Sequence, residues 1–388
     1  MPMTKSNRNT RAGRYVNQIN GYRAFIPMAL PPDPPVRLEG KLQDLLSRAD
    51  RALGRLDGSI QTLPNADLFV AMYIRKEAVL SSQIEGTQSS LQDVLAAEAR
   101  LYSPGQPNDV DEVFNYVRAM NYGLKRLRDL PVSVRLIREI HTELLTGVRG
   151  QHLTPGELRV SQNWIGSAGC TLAEATFVPP PPHEVPTALG NLEQFLHGDT
   201  PLPLLIKIGL AHAQFETIHP FLDGNGRVGR LMITFLLCEK EVLLKPVLYL
   251  SHFFKHHRQE YYERLQAVRD QGAWEEWLVF FLESVFEVSQ QATDTVRQIL
   301  LLREQHRQVI TDRFGRTSGN GHRVLEYLYR HPIISVREVK ELTNVSSPAA
   351  NNLVGKLTRY GILHELTNRK RNRRFIYRDY IRLFQDEA

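Results

Sequence analysis

Cysteine is nearly absent: Cys170 and Cys238 are the only two in 388 residues, far apart and in no CxxC arrangement. That fits a reducing cytoplasm, and Cys238, within an apolar stretch, reads as core. No run of about 18 apolar residues occurs, which predicts no membrane span. Met1 to Arg14 is polar and basic with no apolar h-region, so no secretory signal is expected there. Charge of one sign does not dominate either, with Lys+Arg 48 against Asp+Glu 42 and a formal net charge of +6. The chain is therefore not uniformly basic; its excess is local, in Arg369-Lys370-Arg371-Asn372-Arg373-Arg374. A hydrophobic fraction of 42% with 23% charged residues is that of a soluble globular protein, and the length suggests two or three domains.

The chemistry is concentrated in His219-Pro220-Phe221-Leu222-Asp223-Gly224-Asn225-Gly226-Arg227-Val228-Gly229-Arg230. Asp223 to Gly226 is poor in helix formers, and glycine reaches the positive φ values that turn backbone N–H groups into an anion nest. Leu231 to Leu237 reads as a buried helix, which puts the nest at a helix N-terminus, where unpaired N–H groups and the dipole favour anions. Arg227 and Arg230 add planar donors for phosphate oxygens. Asp223 is a hard oxygen ligand suited to a magnesium ion bridging phosphates. His219, at the end of the preceding helical stretch, is placed as a base near neutral pH. A competing reading makes His212, Glu216 and His219 a zinc face at i, i+4 and i+7. The spacing differs from the metalloprotease pattern and Pro220 follows at once, so His212 and Glu216 read as packing groups behind His219.

This string resembles the signature of the Fic family, His-Pro-Phe-x-Asp/Glu-Gly-Asn-Gly/Lys-Arg-x-x-Arg, without a departure. The resemblance implies transfer of AMP from ATP to a Ser, Thr or Tyr hydroxyl of a target protein or of the chain itself. It makes His219 the base, Asp223 the Mg2+ ligand, and Gly224, Asn225 and Gly226 the α-phosphate hole. Arg227 and Arg230 become the β- and γ-phosphate contacts, with Val228 and Gly229 inside the ATP-binding run. Arg159, Gln162 to Gly166 and Thr176-Phe177-Val178-Pro179 resemble the family's flap, a hairpin whose edge aligns a target main chain by strand addition. A merely decorative hairpin is the rival reading. Tyr261 and Tyr262 resemble a position near the adenine; helix core is the alternative, and the sequence does not choose between them. Ser81-x-x-x-Glu85-Gly86 resembles an inhibitory-helix motif in which Glu85 forms a bidentate pair with Arg230 and keeps it from the γ-phosphate. The plainer reading is a helix end, with Gly86 as cap and Glu85 exposed.

Apolar spacing predicts helices over 36–53, 68–80, 113–127, 134–145, 185–196, 204–218, 253–268 and 276–302, with a break at Pro104-Gly105-Gln106-Pro107. Residues 160–165 and 176–178 read as a short hairpin ended by Pro179 to Pro182. The expected fold is an all-α Fic-type domain with one β-hairpin flap, followed by a small winged helix-turn-helix domain. The expected divisions are a disordered tail over 1–26, an arm and helices over 27–110, a catalytic domain over 111–300, a linker over 301–321 and the winged helix over 322–388. In the last, Ser335 is an N-cap, Ser346–Tyr360 is the recognition helix, and Arg369, Lys370, Arg371, Arg373 and Arg374 form a basic wing that would meet DNA phosphates. Winged helices also dock proteins or form homodimers, so all three partners stay open. The alternative function is a transcriptional regulator that senses nucleotide and binds DNA.

Overall fold

The computed structural model describes residues 10–19, 21–63, 65–101, 109–167, 169–367, 369 and 371–385. The chain opens with an antiparallel hairpin, β1 (Gly13–Asn17) and β2 (Arg23–Pro27), with Tyr15 opposite Phe25. The disordered tail expected over 1–26 is thus corrected for residues 10–19 and 21–26. Polar composition hid the anchors: Ala24 and Phe25 are fully buried, and the Phe25 ring lies 5.0 Å from Tyr15 and 6.0 Å from Phe177.

Helices α1 (Gly40–Gln61), α2 (Ala66–Ile84), α3 (Leu91–Glu98), α4 (Val110–Arg126) and α5 (Val134–Leu145) follow. The expected break at 104–107 lies outside the described residues. In α1, Leu42, Leu45, Ala49, Leu53, Leu56 and Ile60 are buried at the three- and four-residue spacing of one helix face. The segment expected to be a hairpin flap makes a single bridge, Ile165 with Phe177, around a 3-10 turn at Leu172–Glu174. A longer ladder is blocked because Pro179 to Pro182 supply no N–H.

Helices α6 (Val185–His197), α7 (Leu204–Ile218) and α8 (Asn225–Glu239) come next, and α7 and α8 are buried almost all round. Such helices belong at the centre of a domain, and the signature loop joins them. The helix expected over 253–268 is two, α9 (Ser251–His256) and α10 (Arg258–Gln271), broken at His257.

A 40-residue helix, α11 (Trp274–Arg313), runs through the expected linker at 301–321. It stays helical there because it still has a surface to cover, with Ile299, His306 and Ile310 buried. Gly315 to Gly321 form a 3-10 turn and the start of α12 (Ser318–Leu328). A Cβ at Gly321 would lie 2.8 Å from Ile310 and 3.0 Å from Phe314, so glycine there serves close packing, not slack.

The C-terminal unit continues with β3 (Ile333–Ser335), α13 (Val336–Thr343), α14 (Ser347–Arg359), β4 (His364–Glu365), β5 (Arg374–Ile376) and α15 (Arg378–Arg382). Its antiparallel sheet has the order β3-β5-β4, and Ser335 caps α13 in a reciprocal capping box with Glu338. This unit packs on α2: Tyr329 stands 4.6 Å from Phe69 and Phe384 5.1 Å from Tyr73, ring to ring. No helix among the described residues is long and apolar enough to cross a membrane.

Candidate active site

The loop between α7 and α8 is held by four side chains, Asn225, His141, Arg159 and Asn163. His219 ends α7 in a left-handed conformation (φ 49, ψ 60), and Gly224 (φ 77) precedes α8. A non-glycine residue keeps such a backbone only where its surroundings over-determine it. Asn225 accepts the Phe221 N–H at 2.9 Å and donates to the Phe221 carbonyl at 2.8 Å, closing the turn on itself. The His141 ring stacks on Phe221 at 3.8 Å. Its Nδ1 accepts the Gly156 N–H, so Nε2 carries the proton donated to the Asp223 carbonyl at 3.0 Å. Burial pushes His141 down to about 4 and keeps that tautomer uncharged. From the flap side, Arg159 Nε donates to the His219 carbonyl at 2.9 Å, the Arg159 N–H to Pro220, and Asn163 Nδ2 to Phe221.

His219 itself is neutral and available. Burial, then the charges of Arg269 and Arg159, push it down to about 3 against the raising pull of the Glu216 backbone one turn earlier. A few residues on, the first-turn N–H groups of α8 have no intrahelical carbonyls to meet. Asp223 accepts the Gly224 N–H at 2.6 Å and lies 3.5 Å from Arg227, with its side chain 34% exposed. No cluster of three or more His, Cys, Asp or Glu among the described residues could hold a metal alone. One open carboxylate beside an anion nest suits magnesium, which binds through one or two carboxylates plus phosphate oxygens.

Both arginines of the string are already engaged by carboxylates. Arg227, 1% exposed, donates to Glu112 at 3.2 Å. Arg230 donates through Nη2 to Glu85 at 2.7 Å, and through Nε and Nη2 to the side chain and carbonyl of Ser81. The pairing with Glu85 is therefore one bond rather than the bidentate fork expected, with Ser81 supplying the others. Glu85 is also the cap of α2, followed by Gly86 at φ 98, so the helix-end reading and the pairing hold together; the exposed charge does not. Burial would raise the Glu85 carboxyl, but Arg230, then Arg227, hold it below its ordinary value. Burial would lower Arg230, and Glu85, then Tyr261 and Tyr262, raise it instead.

Helix phase removes three residues from the nucleotide-facing set. Val228 is 1% exposed and faces the core. A Cβ at Gly229 would sit 2.4 Å from Glu216 Oε1, so this glycine lets α8 approach α7. Its carbonyl accepts from His212 Nδ1, and His212 Nε2 then accepts from the Tyr261 hydroxyl at 2.9 Å. Tyr261 is thus a 1% exposed core residue, whereas Tyr262 is 40% exposed and feels the charges of Glu85 and Arg230. His212, with both nitrogens spent and pushed down to about 3 by burial, packs behind the site instead of holding zinc.

In the C-terminal unit, Arg373 pairs with Glu365 and Arg374 with Glu338, which withdraws both from the expected basic wing. Arg369 and Arg371 are exposed, and Lys370 lies outside the described residues. Sequence reading missed His141, Glu112 and Arg269, whose guanidinium lies 3.9 Å over the Phe177 ring. A lone histidine on the apolar face of the 134–145 helix was a signal for the first; nothing local marks the other two.

A family model described as Fic/DOC family N-terminal matches residues 43–125, and one described as Fic/DOC family matches 131–237. A probable protein adenylyltransferase of Aquifex aeolicus is 41% identical over 69 residues, 18% of this chain and 22% of that protein. The protein adenylyltransferase Fic of Drosophila yakuba is 28% identical over 207 residues, 51% of this chain and 38% of that protein. The chain therefore spans well under half the length of these curated relatives. A Fic family protein from Desulfovibrio desulfuricans has a similar fold, with a TM-score of 0.58 at 19% identity over 88% of this chain and 97% of that one. A Fic-domain protein of Bacteroides thetaiotaomicron reaches 0.51 at 17% identity, covering 67% of this chain and 97% of that one. With the signature loop closed between two central helices as its residues require, the chain belongs to the Fic/DOC family.

Proposed function

We propose that this protein is an adenylyltransferase that moves AMP from ATP to a Ser, Thr or Tyr hydroxyl of a protein, and that Glu85 restrains it. The observation that carries the reading is a neutral imidazole beside a helix N-terminus whose second arginine is occupied by a carboxylate from another helix. Asp223 would hold magnesium together with the phosphates, and that ion supplies charge neutralisation there. Gly224, Asn225 and Gly226 would cradle the α-phosphate, Arg227 and Arg230 the outer phosphates, and Tyr262 would lie toward the adenine. His219 takes the proton of the attacking hydroxyl as the oxygen bonds to the α-phosphorus and pyrophosphate leaves. Such chemistry is mainly positioning and charge stabilisation. A pure nucleotide sensor has no use for a base kept neutral at this place.

The C-terminal unit, with its helix–strand–helix–helix–hairpin order, is proposed to be a winged helix. Two unpaired cysteines fit action in the cytoplasm. The test is incubation with α-labelled ATP and magnesium. The Glu85→Gly protein should label itself or an added protein, and adding His219→Ala should remove the label, since general-base help is worth ~10²–10⁴-fold. Full transfer by the His219→Ala protein would end this assignment.

A further inference from the structure

The outer edge of the flap strand is already paired, and its partner is the N-terminal hairpin. Phe177 spends its N–H and carbonyl on Ile165, at 3.0 and 2.8 Å. Successive strand residues point their polar groups to opposite sides, so residues 176 and 178 face the other edge. There the Val178 carbonyl accepts the N–H of Phe25 at 2.9 Å. β2 is free to offer that N–H because Gln18 bonds back to Tyr22 and Met28 to Ala12, which sets residues 23, 25 and 27 facing away from β1. Phe25 seals the contact, fully buried against the Phe177 ring. The hairpin is tied down on its other side too: Tyr15 donates to Asp270 and Arg11 to the Gly272 carbonyl.

This pairing fixes where Tyr22 lies, three residues before Phe25. Its hydroxyl meets Gln162 Oε1 at 3.2 Å. Gln162 donates to the carbonyls of Pro179 and Asn163, and Asn163 reaches the His219 carbonyl at 3.4 Å. Arg159 donates to the same His219 carbonyl. The half-buried phenol is thus seated on the polar frame that holds the residue beside the phosphate nest.

We propose that residues 22–27 occupy the flap edge as a built-in acceptor strand and that Tyr22 receives AMP in cis. The inference rests on the adenylyltransferase reading and names an acceptor for it. In the step, Tyr22 Oη forms a bond to the α-phosphorus of ATP, the bond from that phosphorus to the α–β bridging oxygen breaks, pyrophosphate leaves with the bonding pair, and the phenolic proton passes to His219. An extended segment of another protein would have to displace β2 before using this edge.

The experiment is peptide mapping by mass spectrometry of the full-length Glu85→Gly protein after incubation with magnesium and ATP, at several protein concentrations. AMP should appear on Tyr22, at a fractional rate unchanged by about tenfold dilution. It should be lost from the hairpin in Tyr22→Phe, which gives up a single hydrogen bond, and kept in Tyr15→Phe; thermal melts confirm that both are folded. AMP on other residues with Tyr22 bare, or a fractional rate that rises in proportion to concentration, would overturn the cis assignment while leaving the adenylyltransferase reading intact. AMP on no residue of this chain and on no added protein would remove that reading, and the assignment with it.

Discussion

At the scale of single residues, the proposed restraint is a competition for Arg230. A Cβ at Gly226 would lie 2.2 Å from Glu85 Oε1, so the Glu85 carboxylate sits directly against the first turn of the helix that would receive phosphate. Nucleotide and carboxylate cannot both hold that place. Glu85→Gly should therefore raise self-labelling, against the usual direction of change near an active site. The gain should vanish when Arg230→Ala is added, because both substitutions act through one contact and do not add. Equal or lower labelling by a folded Glu85→Gly protein, read from labelled ATP, would contradict the competition. The charges also set the pH response. His219, pushed down to about 3, stays deprotonated at every pH well above that value, and Glu85, held low by Arg230, stays ionised above the usual carboxylate range. Labelling by the Glu85→Gly protein should consequently lose nothing to protonation of His219 between about pH 6 and about pH 5, below the range in which the buried Glu77 and Glu216, both pushed up to about 7, titrate. A rate that falls over that range as an imidazole of the ordinary value of about 6.5 would require would show that His219 is solvated when it reacts.

At the scale of elements, α2 carries the proposed restraint and is anchored by a buried acid. Glu77, Ser81 and Glu85 are four residues apart, so they lie along one side of the helix. Glu77 accepts from Tyr116 on α4 and from the backbone and hydroxyl of Ser251 at the start of α9. Burial pushes Glu77 up to about 7 against the lowering pull of Ser251, Arg230 and Tyr116. The sign follows from linkage: a carboxyl raised in the folded state binds its proton more tightly there than in the unfolded chain. Its contribution is complete below the ordinary carboxylate value and is lost as pH rises through about 7. Between about pH 6 and pH 8 that is on the order of 1 kcal/mol. Glu77→Gln should melt with less loss over this range than the native protein, and an unchanged pH slope in calorimetry would contradict the raised value. Legibility in the sequence divides along the same line. The 134–145 and 204–218 helices have the bounds that apolar spacing predicts, and the signature loop closes as its His, Asn, Gly and Arg content requires. Spacing could not say that Val228, Gly229 and Tyr261 turn inward, since that depends on how α8 and α10 are rotated against α7. It also could not find the hairpin at 13–27, whose short strands are ordered by the flap and α10 beneath them rather than by their own composition. The helix at 301–313 was hidden likewise, because the surface it covers comes from residues later in the chain.

At the scale of the whole molecule, the restraining helix is where the two halves of the chain meet. One side of α2 presents Ser81 and Glu85 to the signature, and its first turns carry Phe69 and Tyr73 into an aromatic seam with Tyr329, Tyr380 and Phe384. Tyr73 also donates to the Ala292 carbonyl on α11. The seam is dry: Phe69, Tyr73, Tyr329 and Tyr380 are each at most 1% exposed. A helix moves largely as a unit, so loosening its N-terminal half should relax the grip of its C-terminal cap on Arg230. Tyr329→Ala opens the seam without touching the signature. Truncating a buried aromatic costs about 3–5 kcal/mol, which should lower the melting temperature and speed amide exchange along α2. It should also raise self-labelling from ATP in the protein that keeps Glu85. In the Glu85→Gly background the same change should bring no further gain, because the contact it would weaken is already gone. Labelling that stays at the native level in Tyr329→Ala, while exchange along α2 rises, would show that the cap holds Arg230 independently of the seam. A gain that persists in the double substitution would place the effect outside the Glu85–Arg230 contact. A gain confined to the single substitution means that whatever engages the C-terminal unit, protein or nucleic acid, can reach the active site through one helix.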